Sequence, residues 1–431
     1  MMHPGNQYYL PFASFLLLSG MLFLLMTAHF LGIEWHKTFT ITFYFGLLLW
    51  IAFLAYSQRK IFSVFTPLDI LFTVFILLVT VRVIVEMESM GYLFHSSVRY
   101  LPFLTLLPYI SGRMMQVRDV LVLMRLFTVA VLLLLPLLLL DRMNFAGGET
   151  GRWPVFGLNY GPLLVGSILV SGLLSTYVIL LYKKMPEARK SLLAHRALTF
   201  LLVGLITTSL VWVTARGWLV AGVFGFTVIS VFAWSHTVFS FRLGGLLFFY
   251  GVIFLSLMFL PKFDSNFGIL YSSSFINTEA FSGILGEACA GKVQLDNSLS
   301  IRMALYREAV DMFLNNPLYG VGVDKFSAHS CVSITSFPHS TILQAFSELG
   351  LPGGLVLLGI LVFAGLYLVN FCFSVTNRKK LEAVIYLHGF FVAFTVSDQI
   401  YGNYLVSAGT WLVIGIIARM QQDRIKEANN V

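Results

Sequence analysis

The chain has 431 residues, 58% of them hydrophobic and 11% charged, with a formal net charge of +8. Soluble globular chains run roughly 45–50% apolar and about 25% charged, so this composition excludes a soluble enzyme, a disordered chain and a nucleic-acid binder. Lys and Arg collecting in cytoplasmic loops explain the positive balance before any anionic partner is invoked.

Apolar runs of about 20 residues recur along the chain, long enough to cross a ~30 Å hydrocarbon layer as helices. They lack the strict polar–apolar alternation of barrel strands. The prediction is an all-α polytopic membrane protein with spans near 10–31, 38–56, 67–86, 98–112, 119–141, 158–182, 197–215, 217–235, 243–260, 341–369, 383–397 and 404–420. The fourth and eleventh are short, as tilted or broken spans are. The first run lacks a charged leader and a small-residue cleavage site, so it is read as a retained helix. One set of short loops holds 16 Lys and Arg, the other only Lys37, Arg99, Arg142, Arg152 and Arg216. The richer set is then cytoplasmic, and both termini lie inside. Three regions follow: transmembrane helices one to nine (1–260), an extracytoplasmic loop subdomain (261–340), and the last three helices with a cytoplasmic tail (341–431).

Within the loop subdomain, Ile301, Leu305, Ala309 and Met312 share one helical face, Arg302 and Tyr306 another, and Pro317 stops the helix. Cys289 and Cys331 fall in this same outer segment, where a disulfide is permitted. No pair of the three cysteines has CxxC spacing, and no carboxylate or histidine spacing suits a metal, so neither metal nor cofactor is expected.

The residues that carry chemistry lie near the outer ends of spans. His339 sits where the outer loop re-enters the membrane, in FPHSTILQAFSELGLPGG. Histidine is the side chain best suited to take a proton near neutral pH; a taskless interfacial histidine is the competing reading. Ser340 or Thr341 caps the helix that follows, and Gln344 and Glu348 lie on one side of it. Arg216, in TTSLVWVTARGWLVAG, opposes the charge bias of its loop. It suits either forked bonds to phosphate or anchoring of a helix end. Gly217 beside it permits close backbone approach. Arg302 and Arg307 are surface charges or anion ligands, and Arg99 and Arg152 add positive field on the same side. Arg82 and Arg125 lie within spans. Gly320-Val321-Gly322 lacks the strand–turn–helix setting of a nucleotide loop, and that reading is rejected.

Three ordered stretches resemble the O-antigen ligase and polymerase superfamily of envelope glycosyltransferases: TARGWLVAG, SIRMALYREAVDMFLNNPLYGVGVDKF and FPHSTILQAFSELGLPGG. Ser340 departs from the Asn that often follows the family's histidine. The resemblance implies an undecaprenyl-diphosphate-linked glycan donor and metal-independent, inverting transfer on the periplasmic face of the bacterial inner membrane. It implies His339 as catalytic residue and Arg216 and Arg302 as diphosphate ligands, with Arg99, Arg152, Arg307, Gln344 and Glu348 supporting. The favoured acceptor is the lipid A-core, as in an O-antigen ligase. A polymerase joining lipid-linked repeat units uses the same chemistry, and a flippase or secondary transporter is the alternative of another class.

Overall fold

The computed structural model describes residues 64–86, 101–144, 155, 161–182, 189–213, 216–233, 246–253, 298–331, 337–375, 377–405 and 407–429. Among them all regular structure is helical. In chain order the helices are α1 (Pro67–Glu86), α2 (Leu107–Met114), α3 (Val117–Asn144), α4 (Gly161–Tyr182), α5 (Arg189–Trp212), α6 (Arg216–Phe232), α7 (Ser298–Asn315), α8 (Phe326–His329), α9 (Thr341–Ser374), α10 (Arg378–Tyr401) and α11 (Ala408–Asn429). A π-helical turn, Pro102–Leu106, runs directly into α2 within the predicted fourth span. The first two predicted spans lie outside the described residues.

Five of these helices are long and apolar enough to cross a membrane, namely α1, α3, α4, α9 and α10, and shorter apolar stretches lie in α5 and α6. Leu133, Leu137 and Leu140 of α3 are exposed, and so are Leu355 and Leu366 of α9. Apolar side chains facing outward around a packed core are what a lipid solvent selects. The protein is an all-α, multi-pass membrane protein.

Inside the bundle the helices meet on small residues, which lets dispersion and close backbone contact replace a solvent-driven core. α2 crosses α11 at Gly112 and Gly415. A Cβ on Gly112 would stand 2.1 Å from the Leu412 carbonyl oxygen. α6 packs against α10 at Gly225 and Gly389, where a Cβ on Gly225 would stand 2.7 Å from the Gly389 carbonyl oxygen.

The two ends of the bundle differ in chemistry. At one end Arg113 is fully buried and forks onto Asp69, with Nε and Nη2 each 2.7 Å from a carboxylate oxygen. Nη1 reaches Gln422 Oε1 at 2.6 Å. Arg113 lies in the last turn of α2, and Asp69 supplies the countercharge that allows its burial. At the other end, Arg82 pairs with Glu86 at 2.5 Å. A correction concerns the eleventh span. It is not short: α10 continues to Tyr401, which puts Asp398 in its last turns. Thr410 Oγ1 donates to the Asp398 carboxylate at 2.5 Å.

Candidate functional site

The end of α10 gathers three separate segments. Gln399 receives the entry to α9: Ser340 Oγ donates to its Oε1 at 2.8 Å, and its Nε2 donates to Thr341 Oγ1 at 2.6 Å. Tyr306 of α7 donates its hydroxyl to the Gln399 carbonyl at 2.9 Å. Burial pushes the Tyr306 phenol up, so it stays protonated as a donor, while the charge of Arg302 works the other way. Two residues on, the Tyr401 ring lies 5.3 Å from the Arg302 guanidinium, a cation–π distance. The Tyr401 hydroxyl accepts a hydrogen bond from Gly217 N–H at 2.7 Å. Arg302 and Tyr306, four apart on α7, thus share the face that meets α10.

His339 precedes this junction. Ser340 has the extended conformation of an N-cap, and its Oγ accepts from Leu343 N–H at 3.3 Å. His339 itself has φ of +58°, a left-handed conformation that costs a side-chain-bearing residue of order 1 kcal/mol or more. Its ring meets Phe337 edge-on, with centroids 4.9 Å apart. Its Nδ1 is buried and has no hydrogen-bond partner among the described residues. Burial first, and the positive charge of Arg302 second, hold the imidazole at about 4, below the usual histidine range. At neutral pH the ring is therefore uncharged and able to accept a proton.

The Pro-Leu-Tyr-Gly-Val-Gly turn supports this entry from behind. Val321 N–H donates to Ser347 O at 2.8 Å, Gly322 N–H to Glu348 O at 3.0 Å, and Leu351 N–H to Pro317 O at 2.7 Å. The Ser347 and Glu348 carbonyls and the Leu351 N–H are freed because α9 bends at Gly350, whose φ is +68°. Val323 N–H donates to Glu86 Oε2 at 3.0 Å, which ties the turn to α1. The glycines of this turn serve docking. The Arg82 guanidinium reaches the Gly320 carbonyl at 3.5 Å.

The predicted site residues divide accordingly. His339, Arg302 and the Arg216–Gly217 turn are brought to the end of α10, with Arg216 as the first residue of α6. Arg307 is exposed. Gln344 and Glu348 do share a helical side, and both are fully buried. Glu348 accepts from Gln344 Nε2 at 3.1 Å and from the Tyr404 hydroxyl at 2.8 Å. The two brace α9 beneath the docked turn. Cys331 is disulfide-bonded and Cys372 is free. Cys289, Arg99 and Arg152 lie outside the described residues. No cluster of three metal-ligating side chains occurs among the described residues.

Gln399 and Tyr401 are absent from the sequence-based expectations. Their signal was a polar and aromatic run, Asp398-Gln399-Ile400-Tyr401, closing an apolar span. Taken as a loop, it offered no reason to assign roles.

A partly buried guanidinium, a neutral imidazole and a hydrogen-bonded turn at one bundle end suit an anionic ligand with a hydroxyl beside it. A comparison with family profiles matches residues 197–358 to the family described as O-antigen ligase. No curated protein matches the chain. The matched segment runs from α5 through the Arg216–Gly217 turn, Arg302 and His339 into α9, and this part of the chain is similar to that family.

Proposed function

We propose that the protein is an O-antigen ligase of the bacterial inner membrane, moving a glycan from undecaprenyl diphosphate to a hydroxyl of the lipid A-core on the periplasmic face. The observation that carries this reading is the meeting of Arg302, the His339 loop and the Arg216–Gly217 turn on the last turn of α10. The donor enters laterally with its tail in the bilayer. Arg302 and Arg216 bind its diphosphate and neutralise the charge that grows on the leaving group. Arg99 and Arg152 add to the field, and both termini lie in the cytoplasm.

His339 takes the acceptor's hydroxyl proton as that oxygen bonds to the anomeric carbon from the face opposite the diphosphate. The bond from the anomeric carbon to the diphosphate oxygen breaks, and undecaprenyl diphosphate departs with the electron pair. The anomeric configuration inverts, and no metal takes part. An imidazole at about 4 is a weak base. Bound diphosphate offsets the charge of Arg302 and raises the proton affinity of His339 when the donor is present. An empty site thus has less tendency to activate water.

Purified protein in detergent, given a lipid-linked glycan and either lipid A-core or a second lipid-linked repeat, tests the reading. Glycan joined to the core supports the ligase. A ladder of lipid-linked repeats without core sugar replaces it with a polymerase.

A further inference from the structure

Tyr401 stands between two parts of the donor site that are far apart in sequence. Its ring lies under the Arg302 guanidinium at 5.3 Å, and its hydroxyl accepts from Gly217 N–H at 2.7 Å. Gly217 leaves no room for a side chain: a Cβ there would stand 2.1 Å from the Tyr401 ring and 2.8 Å from Ile400. The phenol is therefore lodged against the turn by both a hydrogen bond and shape. The ring's opposite role, holding a guanidinium, needs only its π face. The two functions sit on different parts of one side chain and are separable by substitution.

We propose that Tyr401 is a positioning residue for the donor diphosphate, its ring setting Arg302 and its hydroxyl setting the Arg216–Gly217 turn so that one anion spans both. The proposal rests on the ligase-type reading of Arg302 and Arg216. Gln399, two residues earlier, fixes the His339 loop to the same helix turn. Tyr401 thus also fixes the separation of Arg302 from His339. The electrostatic influence of Arg302 on the imidazole reports that separation without any substrate.

The experiment has two arms. In the first, full-length protein in detergent is labelled at histidine and titrated by NMR, with His339→Gln identifying the signal. Arg302→Met should raise the His339 pKa by removing the charge. Tyr401→Leu should reproduce most of that rise, and Tyr401→Phe should leave it at the wild-type value. In the second arm, binding of undecaprenyl diphosphate in micelles is measured directly. Tyr401→Phe should weaken it by about threefold to tenfold through the lost turn contact. Tyr401→Leu should weaken it further, by about tenfold or more. Tyr401→Phe keeps the ring volume, so it reads out even if the leucine variant folds poorly. Tyr401→Phe shifting His339 as much as Arg302→Met, or binding undecaprenyl diphosphate as tightly as wild type, overturns the assignment. If the wild-type protein binds no polyprenyl diphosphate, the donor reading fails, while the titration still decides whether Tyr401 holds Arg302.

Discussion

Gly320 lies against the backbone of Glu348: a Cβ on Gly320 would stand 2.4 Å from the Glu348 carbonyl carbon and 2.5 Å from its oxygen. The contact joins the two glycine-containing stretches that the sequence shows separately. One supplies a turn with φ of +66° at Gly320, the other a bend with φ of +68° at Gly350. Each opens the room the other needs. Gly320→Ala is therefore expected to destabilise by about 2 kcal/mol or more, from backbone strain and a clash that no side-chain rotation relieves. Thermal unfolding in detergent measures it. An unchanged midpoint would mean that the turn does not dock as described.

Gly217→Ala is expected to expel the Tyr401 ring. The nearest ring atom is 2.1 Å from the added carbon, and Ile400 closes the other side at 2.8 Å. Transfer should fall at least about tenfold, the order expected when a binding group is misplaced by an ångström. Adding Tyr401→Ala should recover thermal stability but not transfer. Recovery of transfer in the double variant would show that the turn needs space alone.

The fork between Arg113 and Asp69 is deeply buried, with side-chain exposures of 0% and 2%. Arg113→Met leaves a buried carboxylate without its countercharge, which costs about 3–5 kcal/mol. Asp69→Leu combined with Arg113→Met should cost less, because no lone charge remains. Some loss persists in the double variant, since the Tyr109 hydroxyl and Thr66 N–H also donate to Asp69, at 2.6 and 2.8 Å. Yields and unfolding temperatures of the three variants check the order.

The pH dependence follows from His339. Its conjugate acid cannot accept the acceptor's proton, so activity is lost as pH falls through the pKa. In the free protein that value is about 4, and the acid limb of kcat/KM belongs there. With donor bound, the offset of Arg302 raises the pKa, so the acid limb of kcat lies at higher pH. Rate profiles between about pH 3.5 and 8 test this, a range that brackets both that value and the ordinary histidine value. A kcat limb at or below the kcat/KM limb contradicts the account.

The all-helical, multi-pass character was legible because lipid demands long apolar runs, and capping by Ser340 and the stop at Pro317 follow from local backbone chemistry. The face of Ile301, Leu305, Ala309 and Met312 also follows from helical period: Leu305, Ala309 and Met312 form a buried cluster, with Ile301 packed against it. Burial of Arg113 was not legible, since its partner Asp69 lies 44 residues away. The burial of Glu348 was not legible either, because periodicity gives a face but not what packs on it. Tyr401 and Gln399 act through contacts to segments 184 and 59 residues distant. No spacing rule reaches that far, so the hub of the site becomes visible only once the helices are assembled.

The most direct test of His339 as the base is a paired measurement on His339→Ala: glycan transfer from a lipid-linked donor to lipid A-core, and binding of the same donor. Transfer should be abolished while donor affinity stays within about threefold of wild type, because the imidazole acts on the acceptor's proton and not on the diphosphate. Turnover retained in His339→Ala contradicts the account.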